Sequence, residues 1–130
     1  MPITPGLVHE MTITVTPEMT AAASNVDGMA PVLSTPRMIG LMEQTAHRAI
    51  LPLLEPGQSS VGTLVNIRHL TATPVGMQVR LRAELLEVDG RRLRFRVEAW
   101  DEQEKIGEGE HERFVIDYAR FMGRVEKKRG

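Results

Sequence analysis

The amino-acid sequence predicts an α+β fold, one long helix covered by a curved antiparallel sheet. Three features carry this expectation. One stretch after Ser34-Thr35-Pro36 has helical spacing of its apolar residues. Two later stretches alternate strictly between apolar and polar residues, and an Asp89-Gly90 turn separates them.

Taken in order, Val8 to Val15 reads as a strand, because Met11, Ile13 and Val15 alternate with polar neighbours. The segment from Pro17 to Pro31 is small and flexible, a loop or weak helical turn with a turn signal at Asp27-Gly28. In Ser34-Thr35-Pro36 either hydroxyl can cap the helix, and Pro36 suits a first-turn position where its missing N–H has no partner. Met38, Leu41, Met42, Thr45, Ala46, Ala49 and Leu53 then recur every three or four residues, and the helix is predicted to end near Leu51-Pro52. A strand follows from Ser59 to Thr73. Met77, Val79, Leu81, Ala83 and Leu85 form the next strand, whose phase slips at Leu86, the mark of a bulge. Leu93, Phe95, Val97 and Ala99 alternate with Arg92, Arg94, Arg96 and Glu98, as in a sheet with one wet face. Ile106 to Tyr118 closes the set, and the basic tail from Arg124 reads as a solvated end.

At 130 residues the whole chain, 1–130, is expected to be a single domain around one core. With no cysteine it has no disulfide, thiolate metal site or cysteine nucleophile. A net charge of -1 gives no general attraction to nucleic acid or to anionic membrane. The amino terminus lacks a secretory pattern and no apolar run spans a bilayer, so a cytoplasmic protein is expected. The four histidines have no metal-ligand spacing.

Several residues can do chemistry. His69 falls in line with Val61, Thr63, Val65 and Ile67 on one face of its strand. As a structural residue it would be a core histidine bonded to a carbonyl; as a functional one it is a base near neutrality. Glu43 lies at the border of the helix stripe, where a solvated pairing with His47 is the bland alternative and His47 itself is assigned to the wet face. Thr35 is a cap or a donor. His111 and Arg113 share a face with Val115, and a buried Arg113 requires a carboxylate or substrate as its partner.

The ordered set Leu33-Ser-Thr-Pro-Arg-Met-Ile-Gly-Leu-Met-Glu-Gln-Thr-Ala, Val61-Gly-Thr-Leu-Val-Asn-Ile-Arg-His-Leu-Thr and Gly109-Glu-His-Glu-Arg resembles the fluoroacetyl-CoA-thioesterase-like family of hotdog-fold acyl-CoA thioesterases. In that family a threonine opens the helix, a glutamate follows eight residues later and a histidine 26 residues after that; Thr35, Glu43 and His69 match in type and spacing. Gly62 and Arg113 match the family's strand glycine and late arginine. The likeness runs from the first strand through Val115.

The resemblance implies hydrolysis of an acyl-CoA thioester to acid and CoA. Thr35, Glu43 and His69 would be catalytic, with Gly62 and Arg113 beside the substrate. It implies a homodimer or larger homo-oligomer with sites at the subunit interface, and no cofactor beyond the CoA carried by the substrate. His69 can act as base; Glu43 can orient it, accept a proton or attack directly; Thr35 can donate to the carbonyl or to Glu43. A hydratase or dehydratase of the same fold, or a non-catalytic acyl-CoA-binding module, is the alternative. The family places aromatic residues before the helix, whereas this chain has Val26-Asp-Gly-Met29 there. Val26 and Met29 are therefore expected to line an adaptable acyl pocket with no large preference for a fluorinated group.

Overall fold

A computed structural model describes residues 2–130. The sheet strands are β1 (Val8–Thr14), β2 (Gln58–His69), β3 (Gln78–Asp89), β4 (Arg92–Trp100) and β5 (Lys105–Asp117), with helices α1 (Thr35–Ile50) and α2 (Tyr118–Glu126). All five strands are antiparallel in the order β1-β3-β4-β5-β2, which leaves β1 and β2 as the two edges. The inner face of this curved sheet wraps α1.

The register explains which side chains meet the helix. Val79, Leu81, Ala83 and Leu85 of β3 and Leu93, Phe95, Val97 and Ala99 of β4 are fully buried. Against them α1 buries Met38, Leu41, Met42, Thr45, Ala46, Ala49 and Ile50. Leu53, expected on the same stripe, lies in a separate turn, Leu51–Leu53. The β3 register shifts between Leu85 and Glu87, where the alternation slips. Gly90, at φ 61°, is the first residue of the two-residue β3–β4 hairpin loop. On the outer face the alternating charges pair across strands, as in Lys105 with Glu98 at 2.8 Å and Arg94 with Glu110 at 3.3 Å.

The strand β2 differs from its sequence reading. Its pairing with β5 shifts between Gly62 and Leu64, so Thr63 is an extra residue without a counterpart. Ser60 and Gly62 consequently face the helix before the bulge, and Val65, Ile67 and His69 face it afterwards. Val61 and Thr63 do not share the face of His69, contrary to strict alternation. The strand also ends at His69 rather than Thr73.

The carboxyl-terminal segment is the other departure. Asp117 caps Arg120 N at 3.0 Å and starts α2, which carries Tyr118, Phe121, Met122 and Val125 at helical spacing. The segment Pro17 to Pro31 contains two short 3-10 turns, Pro17–Met19 and Ala21–Ser24. No helix among the described residues is long and apolar enough to cross a membrane.

Candidate active site

The start of α1 settles which hydroxyl is the cap. Ser34 accepts the N–H of Arg37 at 3.2 Å, Thr35 is the first helical residue and Pro36 the second. Thr35 is thereby free of capping, and its Oγ1 lies 2.8 Å from His69 Nδ1 at the end of β2. His69 Nε2 is buried without a hydrogen-bond partner among the described residues. Burial lowers the pKa of His69, and the backbone of Thr71 opposes part of that shift. A cleft of about 310 Å³ opens onto this pair, lined by Ala21, Val32, Leu33, Thr71 and Ala72 among others.

Glu43 belongs to a second cluster. A Cβ on Gly62 would come within 2.8 Å of Glu43 Oε2 and 3.1 Å of His111 Cε1, so glycine leaves the room those groups occupy. Along α1, Glu43 is eight residues beyond Thr35, about 12 Å at 1.5 Å per residue. Within the chain Thr35 and His69 are brought together, and Glu43 stands apart with Gly62, His111 and Arg113.

Arg113 is 8% exposed, and where the sequence reading requires a carboxylate or substrate its hydrogen bonds within the chain go to neutral groups. Nε donates to Ser60 Oγ at 2.7 Å, Nη2 to Ser60 O at 2.9 Å, and Nη1 to His111 Nε2 at 3.2 Å. His111 Nδ1 donates to Leu64 O at 2.8 Å, and because Nε2 accepts from Arg113 the ring is neutral. Burial lowers its pKa; the Leu64 carbonyl opposes the shift and Arg113 adds to it. His47 is not on a wet face: it is half-buried, with Nδ1 2.7 Å from Ser60 Oγ. Its pKa is lowered by burial and then by Arg113. Sequence reasoning misses Ser60 and the part played by His47. Val26 and Met29 sit at the surface, 61% and 46% exposed, on the loop that leads toward the cleft.

A helix wrapped by a five-stranded antiparallel sheet is the hotdog fold of acyl-CoA thioesterases, the class to which this chain belongs. The family described as "Fluoroacetyl-CoA-specific thioesterase" matches residues 15–119, and the chain belongs to it. The fluoroacetyl-CoA thioesterase of Streptantibioticus cattleyicolor is 47% identical over 97 residues, 75% of this chain and 70% of that one. A solved structure of the fluoroacetyl-CoA thioesterase FlK superposes with a TM-score of 0.92 at 38% identity, covering 98% of this chain and 98% of the other. A Thermus thermophilus protein described as a thioesterase superfamily member, TTHA0967, gives 0.90 at 32% identity over 98% and 94% of the two chains.

Proposed function

We propose that the protein works in the cytoplasm as a homodimer that hydrolyses short-chain acyl-CoA thioesters, with each reaction centre shared between protomers. The observation that carries this reading is the Thr35–His69 pair at 2.8 Å, with Glu43 held apart beside Gly62. Edge strand β2 exposes Leu64 and Val65 at its middle, 43% and 45%. Two copies pairing antiparallel there, about a two-fold axis near these residues, would satisfy the open edge. That pairing sets Gly62 of the partner subunit beside residues 66–68. Glu43 of the partner subunit then approaches His69.

In this centre a water oxygen attacks the thioester carbonyl carbon, and His69 Nε2 takes the proton. That role requires Nδ1 to carry the ring proton and donate it to Thr35 Oγ1. The positive end of α1 faces the developing oxyanion. The C–S bond then breaks and the imidazolium returns its proton to the departing thiolate, giving acid and CoA. The Glu43 carboxylate steadies the imidazolium, and no cofactor takes part beyond the CoA of the substrate. Gly62 and Arg113 border the thioester, and the loop with Val26 and Met29 covers the acyl group.

Subunit mixing tests this. Glu43→Ala and His69→Ala, each inactive alone, are exchanged into heterodimers that rebuild one complete centre. Thiol release should recover to about a quarter of the wild-type value for random pairing. A mixture that stays inactive with heterodimers present by mass would return Glu43 and His69 to a single protomer's centre. Full activity from a monomer would remove the shared centre.

A further inference from the structure

We infer that Ser60, His47 and His111 are positioning residues that hold the buried Arg113 guanidinium toward Glu43 across the space left by Gly62. The inference deepens the proposed reaction centre and rests on Glu43 being part of it.

A buried guanidinium is costly unless its N–H groups are satisfied, and usually an anion answers its charge. Arg113 hydrogen-bonds only neutral acceptors, a hydroxyl and a carbonyl of Ser60 and a ring nitrogen of His111, while the Glu43 carboxylate favours its charge without touching it. Ser60 Oγ accepts from Arg113 Nε and is also hydrogen-bonded to His47 Nδ1, so one hydroxyl joins the guanidinium to the helix histidine. His111 Nε2 accepts from Arg113, so its proton is on Nδ1 and goes to Leu64 O. His111 must then be a neutral acceptor for the guanidinium to keep its place.

The geometry gives the arginine a target. From the point where a Gly62 Cβ would lie, Glu43 Oε2 is 2.8 Å away, His111 Cε1 3.1 Å and Arg113 Nη1 3.5 Å. Nη1 and the carboxylate therefore face one another over a glycine. Phe95 lies beside His111, with ring centroids 6.5 Å apart and planes inclined by 28°. A network serving packing alone would gain by replacing this cation with an apolar residue of similar volume. Here five groups from α1, β2 and β5 are spent on aiming it.

The test is kinetic, on the intact enzyme. Ser60→Ala removes the hydroxyl shared by Arg113 and His47 and adds no bulk. It should lower kcat by about tenfold, the size of one lost oriented hydrogen bond to a charge, with KM changed by less than about threefold. Ser60→Thr, which keeps the hydroxyl, should recover most of the rate, and His47→Ala should lose less in the same direction. Ser60→Ala added to Arg113→Ala should cost nothing further, because both act through one guanidinium. Wild-type kcat in Ser60→Ala, or a loss that only tracks the folded fraction measured by circular dichroism, would overturn the inference. So would full additivity with Arg113→Ala. Glu43→Ala separates the two levels: an active Glu43→Ala enzyme overturns the reaction centre itself, whereas an inactive one beside a silent Ser60→Ala overturns the network alone.

Discussion

Thr35 and His69, 34 residues apart in sequence, are joined side chain to side chain at 2.8 Å. The contact ties the first residue of α1 to the last residue of β2, so the helix start and the sheet edge cannot move independently without breaking it. It is possible because the neighbouring Ser34 does the capping.

Separating these adjacent hydroxyls is the first prediction. Thr35→Ala and His69→Ala should each lower kcat by about a hundredfold or more, the scale of a lost general base or its partner. Thr35→Ser should keep most of the rate. Ser34→Ala should instead cost about 1 kcal/mol of stability with little change in kcat. Thiol-release kinetics and thermal melts on the same preparations read both effects, and a catalytic loss confined to Ser34→Ala would reverse the assignment.

Gly62→Ala should be damaging out of proportion to its size. The new methyl meets Glu43 Oε2 at 2.8 Å and His111 Cε1 at 3.1 Å, and of the two only the Glu43 side chain has room to swing away. We expect kcat to fall by at least about tenfold, from displacement of an aligned group. A fully active Gly62→Ala enzyme would show that Glu43 need not stay at this strand.

Stability should fall as the solution is acidified below about pH 6.5, the ordinary histidine value. His47, His69 and His111 all have folded-state pKa values lowered chiefly by burial. As pH falls, the unfolded chain therefore takes up these protons first. Their contribution is complete above the unfolded value and is lost on descending through the folded ones. Melting temperatures between pH 5 and 8 should show this slope, and His111→Asn should flatten it.

The acyl preference should be broad. Without an aromatic wall on the Val26–Met29 loop, acetyl- and fluoroacetyl-CoA should differ by no more than the roughly 10–200-fold that an apolar pocket makes of one methylene, and butyryl-CoA should differ from acetyl-CoA by no more than that range for each of its two added methylenes. A kcat/KM for fluoroacetyl-CoA more than about a thousandfold above that for acetyl-CoA, well outside that range, would show that other residues supply the discrimination.

The sequence makes some of this legible for plain physical reasons. Helix α1 has both a capping hydroxyl and an unbroken stripe, and the bulge near Leu86 shows because apolar side chains change phase there. The bulge at Thr63 is hidden, since Val61-Gly-Thr-Leu-Val is apolar in either phase. Helix α2 is masked by Arg120, Arg124 and the basic residues that follow it, although Asp117 followed by Phe121, Met122 and Val125 carries the signal. His47 is misplaced by periodicity because its partner Ser60 lies on another element, 13 residues on, where helical spacing says nothing. The same limit applies to Arg113, whose partners are set by strand register.

The Thr63 bulge also bears on how the chain can change length. Removing Thr63 alone leaves Gly62 opposite Arg113 and Leu64 opposite Glu112, so every later side chain keeps its face, at the expense of the local bend. Removing one residue from Leu64 to Arg68 shortens the strand by the same amount, so the bulge absorbs that loss as well: His69 keeps its face, and only the side chains between the bulge and the gap change theirs. In a gene that gains and loses codons, this strand can lose one residue between the two halves of the chemistry, whereas a second loss would turn His69 to the outer surface, away from Thr35.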